Sequence, residues 1–292
     1  MTVPAWQATH AYTAGNVVNP TVANGRSFYC AQGGTSGGSE PTWPARFSGT
    51  GLGGVTDGGA VWTPYTAVTP AGLRSLMGWD TNASTQVQPN HTDAVLGNYL
   101  LDAASALEKA CSRFFLNHPG AALVWTSMLR ATLPIPGLRT ATTVVYAGTT
   151  LDTSGYWLLP DSQQSGVNTG VQFRAFRSTD DGPWWLADPA WFDKALDNPF
   201  NPGNYGGGYV FTSMPNDTTI TGDWGYDPGS EPNAFYHALE VYAGWFAMRP
   251  TAILADSVIT PQGGIVSYAS VPPEVRDFIS AWSSGQQVVS IG

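Results

Sequence analysis

The side chains that could carry chemistry in this chain are one serine framed by glycines, the histidines, and a few paired carboxylates. "GTSGG", Gly34 to Gly38, has the G-x-S-x-G spacing of a nucleophile elbow. That elbow needs a strand before the serine and a helix directly after it. Here "SEPTWP" follows, and Pro41 and Pro44 bar such a helix, so the run reads as a Gly/Ser loop. His10, His91, His118 and His237 are isolated, none with another histidine four residues on, and no metal site is expected from them. His237 falls among apolar residues of a helical stretch and reads as a hydrogen-bonded core or interface residue. Asp180 with Asp181, and Asp223 with Asp227, could do acid–base work in a cleft. Each pair adjoins Gly or Pro, where aspartate is a common turn former. The chain carries no phosphate-cradling glycine loop and no calcium loop. No nucleophile, base and orienting group come together on paper, so no catalytic residue and no cofactor is expected, and the chain does not read as an enzyme.

Aromatic rings are the positive signal. Trp6, Tyr12, Phe28, Tyr29, Trp43 and Trp62 crowd into the first 66 residues. In so small a segment most rings must serve as core. A pair left exposed on a β surface would instead make a stacking platform for sugars.

The elements that must position these residues change character along the chain. Residues 1–66 are rich in Gly, Pro and aromatics, with short extended pieces and Asn24-Gly25 as a hairpin signal. Thr69-Pro70 marks a helix start. Residues 92–116 carry the strongest helix, with Leu96, Tyr99, Leu100, Ala103, Leu107, Cys111 and Phe114 at spacings of three and four. From 130 to 176 the pattern is strand-like, and 178–208 is irregular apart from a short helix opened by Asp188-Pro189. "YVFTSM" and "TTITGDWGY" read as strands. A second long helix shows the stripe Phe235, Leu239, Tyr242 and Phe246, and "PPEVRDFISAW" a short one. Leu100, Leu107, Phe114, Phe235, Leu239 and Phe246 are expected to pack the two long helices together. Residues 283–292 have no face to bury and read as a tail suited to strand addition. The fold class expected is α+β: a small all-β N-terminal module, then a mainly helical domain with an inserted antiparallel β excursion.

Composition narrows the function classes. The chain has 292 residues, 42% apolar, enough for a sizeable core. Only 11% are charged and the net charge is −9. That excludes a basic grip on nucleic acid or on anionic lipid. Cys30 and Cys111 are too few and too far apart for a disulfide framework, and Cys111 reads as a small buried hydrophobe. The start, "MTVPAWQATHAY", has neither a basic region nor an apolar run, so no signal peptide and no membrane association is expected.

Two resemblances rest on particular residues. Trp6, Tyr12, Gly15, Val18, Asn24, Gly25, Tyr29 and Trp62 fit the pattern of the small chitin- or carbohydrate-binding type module found in phage structural proteins. The chain departs from it after Tyr29, where the Gly/Ser run replaces extra aromatics. The resemblance implies that Trp43 pins that run to the β core, and that Trp6, Tyr12, Tyr29, Trp43 and Trp62 are either a glycan platform or the module's own core.

Residues 68–282 resemble the head–tail adaptor (connector) family of tailed bacteriophages. The resemblance lies in "VTPAGLRSLMGWD", then "LLDAASALEKACSRFF", then strands, and then the motif strand with Ile220, Gly222, Trp224, Gly225 and Tyr226, followed by a helix. The β excursion is longer than usual for that family, and 178–208 has no counterpart. The resemblance implies a virion structural protein at the neck, made in the host cytoplasm. It would form a dodecameric ring of copies between the portal protein and the tail or neck proteins, with DNA passing through the lumen without specific binding. The module at 1–66 would decorate the outside of that ring, so that 68–282 suffices for the ring and 283–292 docks on a neighbour. The alternatives are a glycan-binding tail or host-attachment protein and, against the missing catalytic set, a cell-wall hydrolase.

Overall fold

The structure is a computed structural model and describes residues 3–48, 52–79, 91–125, 132–146, 149–153, 156–160, 167–173, 218–248, 257–259, 265–267 and 271–283. The expected features at 178–208, including the Asp188-Pro189 helix and the Asp180–Asp181 pair, lie outside these residues, as do "YVFTSM" and the tail from 284.

Six short strands fill the first part of the chain: β1 (Ala11–Tyr12), β2 (Val17–Val18), β3 (Phe28–Gln32), β4 (Gly34–Thr35), β5 (Val55–Asp57) and β6 (Ala60–Pro64). Strands β2-β3-β6-β5 form one antiparallel sheet and β1-β4 a second. Asn24-Gly25 lies in the β2–β3 connection, with Gly25 at φ +76°. Two helices follow, α1 (Pro70–Leu76) and α2 (Asp93–Cys111). Their caps are local: the Thr69 hydroxyl accepts from Gly72 N, with Pro70 starting the helix, and the Thr92 hydroxyl accepts from Val95 N.

The expected extension of α2 to residue 116 is corrected. The helix ends at Cys111, because Ser112 is left-handed at φ 53°. Glu108 then reaches beyond the end, its Oε1 accepting from Phe115 N and Leu116 N at 2.8 Å each. The turn takes Phe114 out of the helical stripe to a half-buried position, and Phe115 enters the core fully buried in its place.

The chain then makes β7 (His118–Trp125), β8 (Thr132–Tyr146), β9 (Thr149–Leu151), β10 (Tyr156–Pro160), β11 (Asn168–Phe173) and β12 (Thr218–Trp224). They form one sheet in the order β10-β11-β8-β12-β7, with β9 paired to β8. After it come α3 (Asn233–Met248), the hairpin β13 (Ser257–Ile259) and β14 (Ile265–Ser267), and α4 (Pro273–Trp282). The architecture is α+β.

Two compact units result. One comprises residues 1–121 and 223–288, the other 122–222 with 289–292. The boundaries between these two units fall inside β7 and β12. In the first unit α2 packs on α3, burying Leu96, Leu100, Leu107, Phe235 and Leu239 completely. Phe246 is only half-buried. In the second, Ile135, Leu138, Val144, Val171 and Ile220 form the buried apolar side.

Candidate functional site

The aromatic residues of the N-terminal segment converge on one carboxylate. Trp6, Tyr12, Val18, Phe28, Cys30, Ala60 and Trp62 make a closed core, with Trp43 packed against it. The Asp57 side chain, 5% exposed, is the polar centre. Its Oδ2 accepts from the indole N–H of Trp6 at 2.8 Å and of Trp62 at 3.1 Å, and its Oδ1 accepts from Gly37 N at 2.7 Å. A buried carboxylate is tolerable when its oxygens are satisfied this way. Tyr12 meets Trp62 edge-on at 4.8 Å, and its hydroxyl accepts from Gln7 N. Trp6, Tyr12 and Trp62 are thus buried in the core. Tyr29 and Trp43 are half-buried.

The Gly/Ser run is folded onto this core. Gly34 and Thr35 pair with Tyr12 and Ala11. A Cβ on Gly34 would lie 2.3 Å from the Gly59 carbonyl oxygen, so only glycine fits there. The Ser36 hydroxyl donates to Gln7 O at 2.7 Å and accepts from His10 N at 2.9 Å. It is buried and committed to backbone, which is no setting for a nucleophile. Trp43 stacks on Phe28 at 4.4 Å and donates to Glu40 Oε1 at 2.7 Å. Burial pushes the Glu40 carboxyl up, but hydrogen bonds from Thr21 and Trp43 outweigh it and hold the group below the usual carboxylate range.

The motif comprises the end of β12 and the turn that follows it. Ile220 and Trp224 are fully buried, and Tyr226 nearly so. Gly222 is obligatory: a Cβ there would sit 2.1 Å from the Thr140 carbonyl oxygen. Gly225 has φ +76°, and its Cβ would sit 1.9 Å from the Leu116 carbonyl oxygen. Trp224 donates through Nε1 to Ala121 O at 2.8 Å, and Tyr226 N donates to Phe115 O at 3.3 Å. Phe115 is the hub, stacked on Phe235 at 4.7 Å and near Phe278 at 5.4 Å and Trp282 at 5.5 Å. The Arg113 guanidinium covers the Trp282 ring at 5.2 Å. The motif is thus tied through Tyr226 to the segment after α2, whose Phe115 packs on α3 and α4.

The first unit also holds a junction that the sequence did not disclose. Tyr65 donates through its hydroxyl to Glu231 Oε1 at 2.9 Å, and Tyr236 donates to Oε2 at 2.6 Å. Gly229 N completes the set at 2.8 Å from Oε2. Burial pushes the Glu231 carboxyl above its ordinary value, and its hydrogen bonds only partly offset that. Burial and the Glu231 charge push both tyrosine hydroxyls up as well. Phe47 lies over α2 at Gly97, where a Cβ would come within 2.5 Å of the ring. Asn98 brackets Phe47 with hydrogen bonds to its N and O. Asn117 reaches Ser27 Oγ at 2.7 Å, and His118 reaches Gly25 O at 3.0 Å.

The remaining candidates fall into structural places. Asp223 accepts from Gly120 N, and Asp227 closes a turn through Ser230. His237 is exposed on α3, so of the two expected places, core or interface, the core does not hold. Cys30 and Cys111 are buried thiols; burial raises both, Cys111 to about 12, so neither is a reactive thiolate. Among the described residues no three His, Cys, Asp or Glu side chains converge as a metal site, and no helix is long and apolar enough to cross a membrane.

No family model matches the chain, and no curated protein matches it. Solved structures similar to it are chains of gene transfer agent (GTA) particles. One, from the neck of an empty particle computed with C6 symmetry, has 16% identity and a TM-score of 0.42, covering 78% of this chain and 93% of that one. Another, from the virion of a native particle, has 20% identity and a TM-score of 0.40, covering 78% and 93%. A third, from the neck of a native particle computed with C12 symmetry, has 17% identity and a TM-score of 0.38, covering 78% and 96%. At these identities and scores the likenesses assign no function to this chain.

Proposed function

We propose that this protein is a virion structural protein of the neck, a head–tail adaptor whose copies form a ring between portal and tail. The observation that carries the reading is the setting of Ile220–Tyr226. In the order the adaptor resemblance implies, this segment follows the β excursion and precedes α3. Its glycines stand where no other residue fits, and its Tyr226 amide bonds to the end of α2. The buried, hydrogen-bonded state of Ser36, Asp57 and Glu231 supports a scaffold rather than a catalyst. A chain with 11% charged residues and net charge −9 suits a ring that DNA crosses without adhering. The inward-facing Trp6, Tyr12 and Trp62 support a module that acts as structure, not as a glycan platform.

The test is cryo-electron microscopy of the particle labelled with an antibody fragment against this chain. Label in a ring at the neck is the expected result. Label at the tail tip, or on the capsid shell, would overturn the reading.

A further inference from the structure

We propose that protonated His118 latches the turn at Asn24-Gly25 to the end of α2, and that loss of its proton releases that turn. This does not depend on the adaptor reading. The imidazole sits between two acceptors. Its Nδ1 is 3.0 Å from the Gly25 carbonyl oxygen, and its Nε2 is 3.3 and 3.2 Å from the two carboxylate oxygens of Glu108. A carbonyl and a carboxylate cannot donate, so only the imidazolium, with a hydrogen on each nitrogen, satisfies both. A neutral ring must aim one lone pair at an oxygen.

Which contact opens is decided by Glu108. Its Oε1 is fixed by the amides of Phe115 and Leu116 at 2.8 Å, so the carboxylate cannot turn away. The bond from His118 to a carboxylate is also the stronger of the two, being charge-assisted. The remaining proton therefore stays on Nε2, and the Nδ1 lone pair faces Gly25 O. The other groups around the ring leave this order unchanged. Phe114 packs on the imidazole at 4.6 Å and is apolar. Arg26, beside Gly25, lies within electrostatic reach of Glu108. Asp223, from β12, is engaged by Gly120 N.

Release is confined to the turn. Asn117 still holds Ser27 Oγ at 2.7 Å, and Thr21 is still held by Glu40. What is freed is the stretch around Asn24 and Gly25, next to Val22, which is 81% exposed.

The test is an NMR titration of the full chain between about pH 5 and 8.5, the range over which histidine changes charge. Long-range proton–nitrogen spectra read the His118 ring, and amide spectra read Gly25, Arg26 and Ser27. The expected result is a doubly protonated ring in acid and the Nε2–H tautomer in base, with the three amides moving at the same midpoint. In His118→Gln those amide movements should vanish. Amides that stay still while His118 titrates, an Nδ1–H tautomer in base, or amide movements that persist in His118→Gln would each overturn the proposal. If the variant does not fold, the titration of the unaltered chain decides alone.

Discussion

Trp6 and Asp57 lie 51 residues apart in sequence, yet the indole N–H donates to the buried carboxylate at 2.8 Å. The bond ties the first turn of the chain to β5, and Trp62 and Gly37 share the same carboxylate. Asp57→Ala leaves the two buried indole donors and the part-buried Gly37 amide without this acceptor. Hydrogen bonds to a charged group contribute about 1.5–3 kcal/mol each. Asp57→Asn is expected to be destabilising as well, since its amide nitrogen must face a donor whichever way it is turned. Thermal melts of both variants should fall clearly below the parent, and an unchanged melting temperature in either would contradict the arrangement.

Gly225 and Gly229 share the same backbone region, at φ +76° and +82°. They differ in space: a Cβ on Gly225 would meet Leu116 O at 1.9 Å, while nothing lies within 4 Å at Gly229. Gly229→Ala should therefore cost about 1–2 kcal/mol, the left-handed strain alone. Gly225→Ala should cost well beyond that, because backbone must move away from backbone. Chemical denaturation separates the two, and equal losses would refute the packing of the motif strand on the end of α2.

Gly97→Ala tests the seat of Phe47. Alanine favours the helix by about 1 kcal/mol over glycine. Overpacking a filled site costs about 1–3 kcal/mol. The Cβ would lie 2.5 Å from a ring that is 4% exposed, so the steric term should win and the variant should be less stable. A more stable Gly97→Ala would show that Phe47 does not occupy that groove.

Glu231 predicts a slope of stability with pH. Its folded pKa is raised above the unfolded value, so its contribution is fully present below about pH 4.5 and is lost as pH rises through the folded pKa. Other carboxylates act the other way, so the readout is a difference. The stability of the parent minus that of Glu231→Gln should decline as pH rises from about 4.5. Tyr65 and Tyr236 are also raised, and they add a further loss only above about pH 10. Urea unfolding across pH gives the curve, and a flat difference would show that Glu231 is not buried as described.

Removal of residues 1–67 decides whether the N-terminal segment is a detachable module. It would strip Tyr65 from Glu231, Phe47 from Gly97, and Gly25 from His118. A chain starting at Val68 is expected to expose apolar surface on α2 and to unfold far more readily than the full chain. Cooperative unfolding at the parent's midpoint would establish the boundary at residue 67 after all.

These cases show which features the sequence makes legible. The cap at Thr69 is legible because the hydroxyl and the amide it serves are three residues apart, whereas at α2 the sequence leaves Thr92 and Asp93 both open as the cap. The glycines of "ITGDWGY" are legible as a motif, though not as close approaches, since Thr140 and Leu116 are remote in sequence. The end of α2 was not legible. The apolar spacing runs on through Phe114, and it is the left-handed Ser112, with Glu108 reaching on to the amides of Phe115 and Leu116, that stops the helix. Asp57 and Glu231 were hidden for the same reason. Trp6 and Tyr65, which donate to those carboxylates, are 51 and 166 residues away.

The Phe115 cluster has a consequence for synthesis. Its ring is walled by Phe235, Phe278 and Trp282, and the unit that holds it is interrupted by residues 122–222. While the ribosome translates that interruption, α2 has been made but its covering helices have not. The apolar face of α2 must wait, exposed to chaperones or to other nascent chains, until α4 has left the exit tunnel. The β segment can pair meanwhile, because much of its register is between neighbouring strands. Yield in a heterologous host should therefore depend more on chaperone supply during elongation than on the equilibrium stability of the finished chain.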